Sequence, residues 1–168
     1  MQVVFRVDAS SQIGTGHVMR CLTLAECLKD GGIDVSFICR KNSGNLRDKI
    51  IKKGFRLFEL EPLGKARHDD KLFHSNWLDV TQREDAEQCK EILEKIKTDW
   101  LVVDHYALDQ EWESDLKHLC TNIMVIDDLA DRNHNCDLLV DQTFGRIAEH
   151  YIDLVPKGCT LLMGSEYS

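Results

Sequence analysis

Apolar runs that end at an aspartate, with a helical pattern between one run and the next, constrain this chain more than any other feature. Met1 to Val7 leads to Asp8, Trp100 to Val103 to Asp104, and Ile123 to Ile126 to Asp127-Asp128. A strand with one face in water would alternate polar and apolar residues, so uninterrupted runs imply strands covered on both faces. Between the first two strands, Val18, Leu22, Ala25 and Leu28 recur at steps of four, three and three, and Gly31-Gly32 supplies a stop. Ile33 to Cys39 then reads as a second strand, Asn45 to Lys53 as a short helix closed by Gly54, and Phe55 to Leu60 as a third strand. Pro62 and Gly64 open a long irregular stretch. From Glu84 the helical period returns through Ala86, Cys89, Leu93 and Ile96. A further helix over Gln110 to Cys120 carries Trp112, Leu116 and Leu119, and Leu138 to Val140 is a last apolar run. The expected fold is a doubly wound α/β domain with a mostly parallel sheet.

Composition narrows the class. With 168 residues, 43% of them apolar and 30% charged, the chain suits one globular domain that buries roughly 70% of its unfolded-chain surface. Twenty-one basic against 29 acidic residues give a net charge of -8, a field that repels nucleic acid and anionic membranes. No apolar run approaches the ~20 residues of a membrane span and no secretory signal opens the chain, so the cytoplasm is the expected compartment. The seven cysteines are odd in number and scattered, against both a disulfide framework and a zinc knuckle. Most are expected to behave as small buried apolar residues. The segment Thr160 to Ser168 ends without a final helix, so residues 1–163 are expected to form the domain and 164–168 to begin a linker to a second one.

Ligands of an open parallel sheet bind beyond the carboxyl ends of its strands, and the unusual polar residues fall there. In Gly14-Thr15-Gly16-His17, two glycines allow close backbone approach, and the following helix offers free amides and a positive dipole end. A tight strand-to-helix turn explains the same glycines. Met19 stands where a dinucleotide fingerprint needs a third glycine, and no Gly-Lys-Ser/Thr follows. His17, in the first helical turn, suits a neutral general base or a ring that satisfies a loop carbonyl. Arg20, on the same face, is expected to pair with Asp8 or to neutralise ligand charge. Asp104-His105-Tyr106 suggests a relay. Asp127-Asp128 suits magnesium, or else a loop tie. His68, His74, His118, His134 and His150 show no metal-ligand spacing and are expected to face solvent. The basic run Arg40, Lys41, Arg47, Lys49, Lys52 and Lys53 is expected to be a solvated helix face and its approach, without the aromatics of a nucleic-acid patch.

Several ordered motifs resemble one family. Phe5-Arg6-Val7-Asp8, the stretch Ile13 to Ala25, Val103-Asp104-His105-Tyr106, Ile126-Asp127-Asp128-Leu129 and Cys136 to Gln142 are similar to the UDP-2,4-diacetamido-2,4,6-trideoxy-beta-L-altropyranose hydrolases of pseudaminic acid biosynthesis. Some of their relatives are labelled spore coat polysaccharide biosynthesis proteins. Arg40 with Gly44-Asn45-Leu46, and Trp77-Leu78 with Asp85-Ala86, extend the similarity over the whole chain. The resemblance implies the Rossmann-like amino-terminal half of a GT-B architecture, whose absent carboxyl-terminal domain would hold most of the UDP. It implies water attack on the anomeric carbon with inversion and release of UDP, without a metal or other cofactor. His17 is then the base, and Tyr106 positions the sugar. Gly14, Thr15, Gly16 and Arg20 shape the cleft floor. Asp104 and Asp127 join the substrate side, with a structural role open for Asp127 and Asp128. The alternatives are a glycosyltransferase using a UDP-sugar donor, which needs an apolar, basic-rimmed patch if its acceptor is lipid-linked, and a non-catalytic half that docks on a partner chain.

Overall fold

The computed structural model describes residues 1–8, 15–41, 46–63 and 72–168. Its strands are β1 (Gln2–Val7), β2 (Asp34–Arg40), β3 (Arg56–Leu60), β4 (Thr98–Asp104), β5 (Cys120–Ile126), β6 (Leu138–Asp141) and β7 (Thr160–Met163). The helices are α1 (Gly16–Asp30), α2 (Arg47–Lys52), α3 (Gln82–Leu93) and α4 (Gln110–Leu116). All seven strands join one sheet in the order β3-β2-β1-β4-β5-β6-β7, and every pairing is parallel. From β1 the chain moves outward through β2 to β3, then returns past β1 to β4. A crevice therefore opens at the carboxyl ends of β1 and β4, where successive connections run to opposite sides.

The side-chain period of a strand divides the core in two. Val3, Phe5 and Val7 of β1 point to one face, where they meet Val18, Cys21, Leu22 and Ala25 of α1 and Ile50 of α2. Val4 points to the other, with Ala86, Cys89 and Leu93 of α3 and Trp112 and Leu116 of α4. Helices thus cover both faces, and full burial of each large side chain stabilises the fold by ~1.5–3 kcal/mol. Local signals set the element ends. Gly32 and Gly54 have φ of +78° and +75°, a region that glycine enters without steric penalty, and each follows a helix. Thr81 and Glu84 form a reciprocal capping box at the start of α3. The expected helix Gln110 to Cys120 is shorter as an α-helix: it tightens into a 3-10 turn at Lys117–Leu119, and Cys120 already belongs to β5. Ile96 lies beyond the end of α3 but still packs on the same core.

Arg6 shares the inner face with Val4, and the sheet offers it no water. Its guanidinium binds Asp8 through two contacts of 2.6 and 2.8 Å and Asp85 of α3 through two of 3.1 and 2.7 Å. Arg40 adds a 2.6 Å bond to Asp85, and the Trp112 indole donates to the same carboxylate at 3.0 Å. Arg40 therefore does not belong to the solvated basic face expected from sequence: it ends β2 with 2% exposure. His134, expected in solvent, is buried with its Nδ1 2.7 Å from Glu113 Oε1. In both cases a carboxylate distant in sequence supplies the partner that makes burial affordable.

Two outcomes follow. Asp85→Asn removes one of the two carboxylates that balance the buried Arg6 and Arg40 and should lower stability by about 3–5 kcal/mol, whereas Arg83→Ala, which removes an exposed pair with Glu87, should change it by less than about 0.5 kcal/mol; urea unfolding midpoints compare them. Burial opposes ionisation of Asp85, but the charges of Arg6 and Arg40 prevail and hold its carboxyl below the ordinary value of 3.8. The stability it contributes is complete above that value, where both folded and unfolded forms are ionised, and is lost as pH falls through the lower folded value. Acid titration of the unfolding free energy should show this decline in the native chain and less of it in Asp85→Asn.

Candidate active site

The crevice gathers four side chains from three connections. His17 enters from the first turn of α1, Asp104 from the last residue of β4, Tyr106 from the loop behind it, and Asp128 from the loop after β5. His17 Nδ1 lies 2.5 Å from Asp104 Oδ1. Arg20, one turn along α1, grips both oxygens of Asp104 at 2.6 Å and reaches Asp128 Oδ2 at 3.0 Å. Tyr106 donates its hydroxyl to the other oxygen of Asp128 and sets its ring edge-on to His17, 4.5 Å between centroids. Asp104 is fully buried. Burial pushes its carboxyl up, but bonds from Arg20 and His17 outweigh this and hold it at about 2. A carboxylate so strongly ionised accepts a hydrogen bond from an Nδ1–H, the tautomer that leaves Nε2 as the acceptor of the ring.

The sequence expectations land unevenly on this geometry. Arg20 pairs with Asp104 and Asp128, not with Asp8, because Asp8 is already saturated by Arg6 and by the Arg40 amide at 2.7 Å. The relay suggested by Asp104-His105-Tyr106 is divided. Asp104 and Tyr106 turn toward His17, while His105 Nε2 approaches Asp8 Oδ2 at 3.2 Å and its Nδ1 accepts from the Ala107 amide. Burial keeps the His105 imidazole below its ordinary value despite the nearby Asp8. Asp127 is buried, 2.8 Å from Arg132, and accepts from the Tyr151 hydroxyl and the Leu129 and Ala130 amides, the loop tie that was one of its two readings. Thr15 is exposed at the N-cap of α1, and above Gly16 no described atom lies within 4 Å of where a Cβ would sit. Gly14 lies outside the described residues, as do Gly44, Asn45 and His68. Among the described residues no group of three or more His, Cys, Asp or Glu is disposed to hold a metal ion, and no helix is long and apolar enough to cross a membrane.

Three residues of the site were not read as such from the sequence. Asp128, weighed only with Asp127 as a metal ligand or tie, joins Arg20 to Tyr106. Trp77 stacks on Tyr106 at 5.4 Å and 28°, and His74 leans on both rings at 4.4 and 5.3 Å. Their available signal was three aromatic rings, Phe73, His74 and Trp77, within five residues of the irregular stretch.

Over its whole length the chain is 30% identical to the UDP-2,4-diacetamido-2,4,6-trideoxy-beta-L-altropyranose hydrolase of Campylobacter jejuni. It is a relative of that hydrolase. The chain spans 51% of the hydrolase's length. It is also 20% identical, over 86% of its residues, to the uncharacterized protein MJ1062 of Methanocaldococcus jannaschii, of which it spans 25%. No family model matches the chain. Among solved structures, MurG of Acinetobacter baumannii aligns with 95% of the chain and 44% of its own, at a TM-score of 0.59 and 10% identity. That likeness is one of fold, and with the all-parallel sheet it identifies a Rossmann-like α/β domain. His17, Asp104, Tyr106 and Asp128, which meet in the crevice, all come from the sequence motifs that carry the resemblance.

The ring state is measurable. In the native chain His17 should carry its proton on Nδ1, visible as a protonated-type Nδ1 and an acceptor-type Nε2 in long-range nitrogen–proton spectra at neutral pH. Asp104→Asn, an isosteric change that presents an amide donor in place of one acceptor oxygen, should redistribute the tautomers with the fold retained. An unchanged His17 signal would show that Asp104 does not set the tautomer.

Proposed function

We propose that this chain is the sugar-side domain of a UDP-sugar hydrolase in which His17 is the general base. The observation that carries the reading is the 2.5 Å contact from His17 to a strongly ionised Asp104 at the crevice of the sheet, in a chain related to a hydrolase of that class. His17 Nε2 takes a proton from water as the water oxygen bonds to the anomeric carbon. The carbon–oxygen bond to the diphosphate breaks, and UDP leaves with the electron pair. Attack opposite the leaving group inverts the anomeric centre. A diphosphate leaves as a stabilised anion, so positioning and base catalysis matter more than a strong acid. The substrate would be UDP-2,4-diacetamido-2,4,6-trideoxy-beta-L-altropyranose, with most UDP contacts made by residues outside this chain, no metal or cofactor required, and the reaction cytoplasmic.

Asp104 and Arg20 hold the base in this scheme, and Tyr106 bears on the sugar. His17→Ala should reduce UDP release about 10²–10⁴-fold, the usual range for loss of a general base, while leaving the circular dichroism unchanged; the assay belongs on both this chain and the full-length gene product. Near-normal turnover in a folded variant would remove the assignment. Tyr106→Phe deletes the hydroxyl bonded to Asp128 and should impair kcat or KM without unfolding the domain.

One observation keeps a glycosyltransferase reading alive. Leu63 is 49% exposed and Phe73 90% exposed on the two sides of the irregular stretch, where a lipid-linked acceptor would need an apolar rim. Product analysis separates the readings, because free sugar formed with no added acceptor requires a hydrolase.

A further inference from the structure

Five rings run in unbroken contact from the surface to the base. Phe73, 90% exposed, meets His74 edge-on at 4.9 Å; His74 leans on Trp77 and Tyr106; Trp77 stacks on Tyr106; and Tyr106 touches His17. Trp77 also approaches the His17 ring directly, 6.3 Å between centroids at 82°. Aromatic rings are ordinarily turned into a core. Here Trp77, His74 and Tyr106 are half-buried, and Phe73 is almost free. Polar order stands on the other side of His17, where Arg20, Asp104 and Asp128 bind one another. The base thus lies between an apolar ridge and a self-neutralised ionic cluster.

We infer that the ridge of His74, Trp77 and Tyr106 is a specificity subsite for the methyl-bearing face of a deoxygenated, acetamido-substituted sugar, an inference that rests on the hydrolase reading above. The sugar named for the hydrolase relative has a methyl group at carbon 6 and two acetamido methyls, and when linked to UDP it keeps one free hydroxyl. Such a ring is far less polar than an ordinary hexose. Aromatic faces take methyl and ring C–H groups by dispersion and by removing them from water. The same faces give no partner to hydroxyls, so a sugar hydroxylated at carbons 4 and 6 would lose hydrogen bonds to water on entering and recover none. Rejection of an added hydroxyl by an apolar face is moderate, at most about 10²-fold. In this arrangement the ridge selects the sugar and sets its anomeric carbon beside His17, while Phe73 forms the outer lip.

Saturation-transfer NMR on this chain tests the subsite apart from turnover. The probe is the methyl glycoside of 2,4-diacetamido-2,4,6-trideoxy-L-altrose, compared with the methyl glycoside of N-acetylglucosamine; neither carries UDP. Saturation should reach the three apolar methyls most strongly, and the N-acetylglucosamine glycoside should bind at least about tenfold more weakly. Trp77→Ala and His74→Ala should each weaken the first glycoside about tenfold, whereas Trp77→Phe, which keeps a ring on Tyr106, should retain most of the binding. Thermal unfolding of each variant separates loss of the subsite from loss of the fold. Equal binding of the two glycosides, indifference to His74→Ala and Trp77→Ala in folded variants, or no transfer to either glycoside would overturn the inference. Co-sedimentation with phosphatidylglycerol vesicles that Phe73→Ser abolishes would reassign the ridge to a lipid surface. These results are independent of the His17→Ala assay: a ridge that binds in a protein whose UDP release ignores His17 removes the mechanism and not the subsite, and the converse removes the subsite alone.

Discussion

A guanidinium placed under the centre of a parallel sheet governs much of this structure. Arg6 belongs to β1, the strand against which both halves of the sheet are built, and its side chain points to the face where an apolar residue would be expected. Burying that charge alone would be prohibitive, so its neighbours are determined by it. Asp8 must follow two residues later on the same side of the strand, α3 must present Asp85, and β2 must end with Arg40 to balance the second carboxylate. Asp85 also takes the Trp112 indole, which fixes α4. One ion network therefore ties β1, β2, α3 and α4 together immediately beneath the crevice. Hydrophobic burial supplies the driving force, but it is non-directional. Directional bonds of this kind fix where the strand ends lie relative to one another, and His17 and Asp104 project from those ends.

Such a network explains what could and could not be seen in the sequence. The strands at Met1 to Val7, Trp100 to Val103 and Ile123 to Ile126 were legible because a strand buried on both faces leaves a continuous apolar run. Helix α1 was legible because its apolar step agrees with the helical period, and the place of the crevice followed from the aspartates at the strand ends. Pairings were not legible. Arg40 stands in a run of basic residues, and nothing local marks it as the one that turns inward toward a carboxylate 45 residues away. His134 meets Glu113 across 21 residues, and Arg20 meets Asp104 across 84. Sequence spacing reports which face of an element a residue occupies; charge partners depend on which elements the topology brings together. The aromatic ridge was hidden for a related reason, since a short turn at Ser75–Trp77 has no period from which a face could be read.

The two ends of the relay around His17 do different work. Asp104 is shared: one oxygen serves His17 and Arg20 together, and the other serves Arg20 alone with Cys21 at 3.4 Å. A carboxylate already matched by a guanidinium orients an imidazole without giving it the full attraction of an unpaired negative charge. Tyr106 restrains the ring by contact, and Asp128 restrains Tyr106 while also accepting from Arg20. Burial and the neighbouring Asp128 both push the Tyr106 hydroxyl up, so it remains a protonated donor throughout the working range. The geometry is that of an imidazole held in one orientation, with the acids around it committed to structural bonds.

This commitment also sets the local charge of the crevice. A net charge of -8 would repel a diphosphate if the acidic side chains faced it freely. At the carboxyl edge, however, each strand-terminal aspartate has an arginine of its own. Asp8 binds Arg6, Asp104 binds Arg20, Asp127 binds Arg132 at 2.8 Å, and Asp141 binds Arg146 at 2.5 Å. Asp128 is matched by the second arm of Arg20. The edge that forms the crevice is consequently near local neutrality, and the unbalanced negative charge lies elsewhere on the surface, where screening over about 10 Å weakens its reach at ordinary ionic strength. The crevice of this acidic domain therefore presents a nearly neutral surface that neither attracts nor repels an anion strongly.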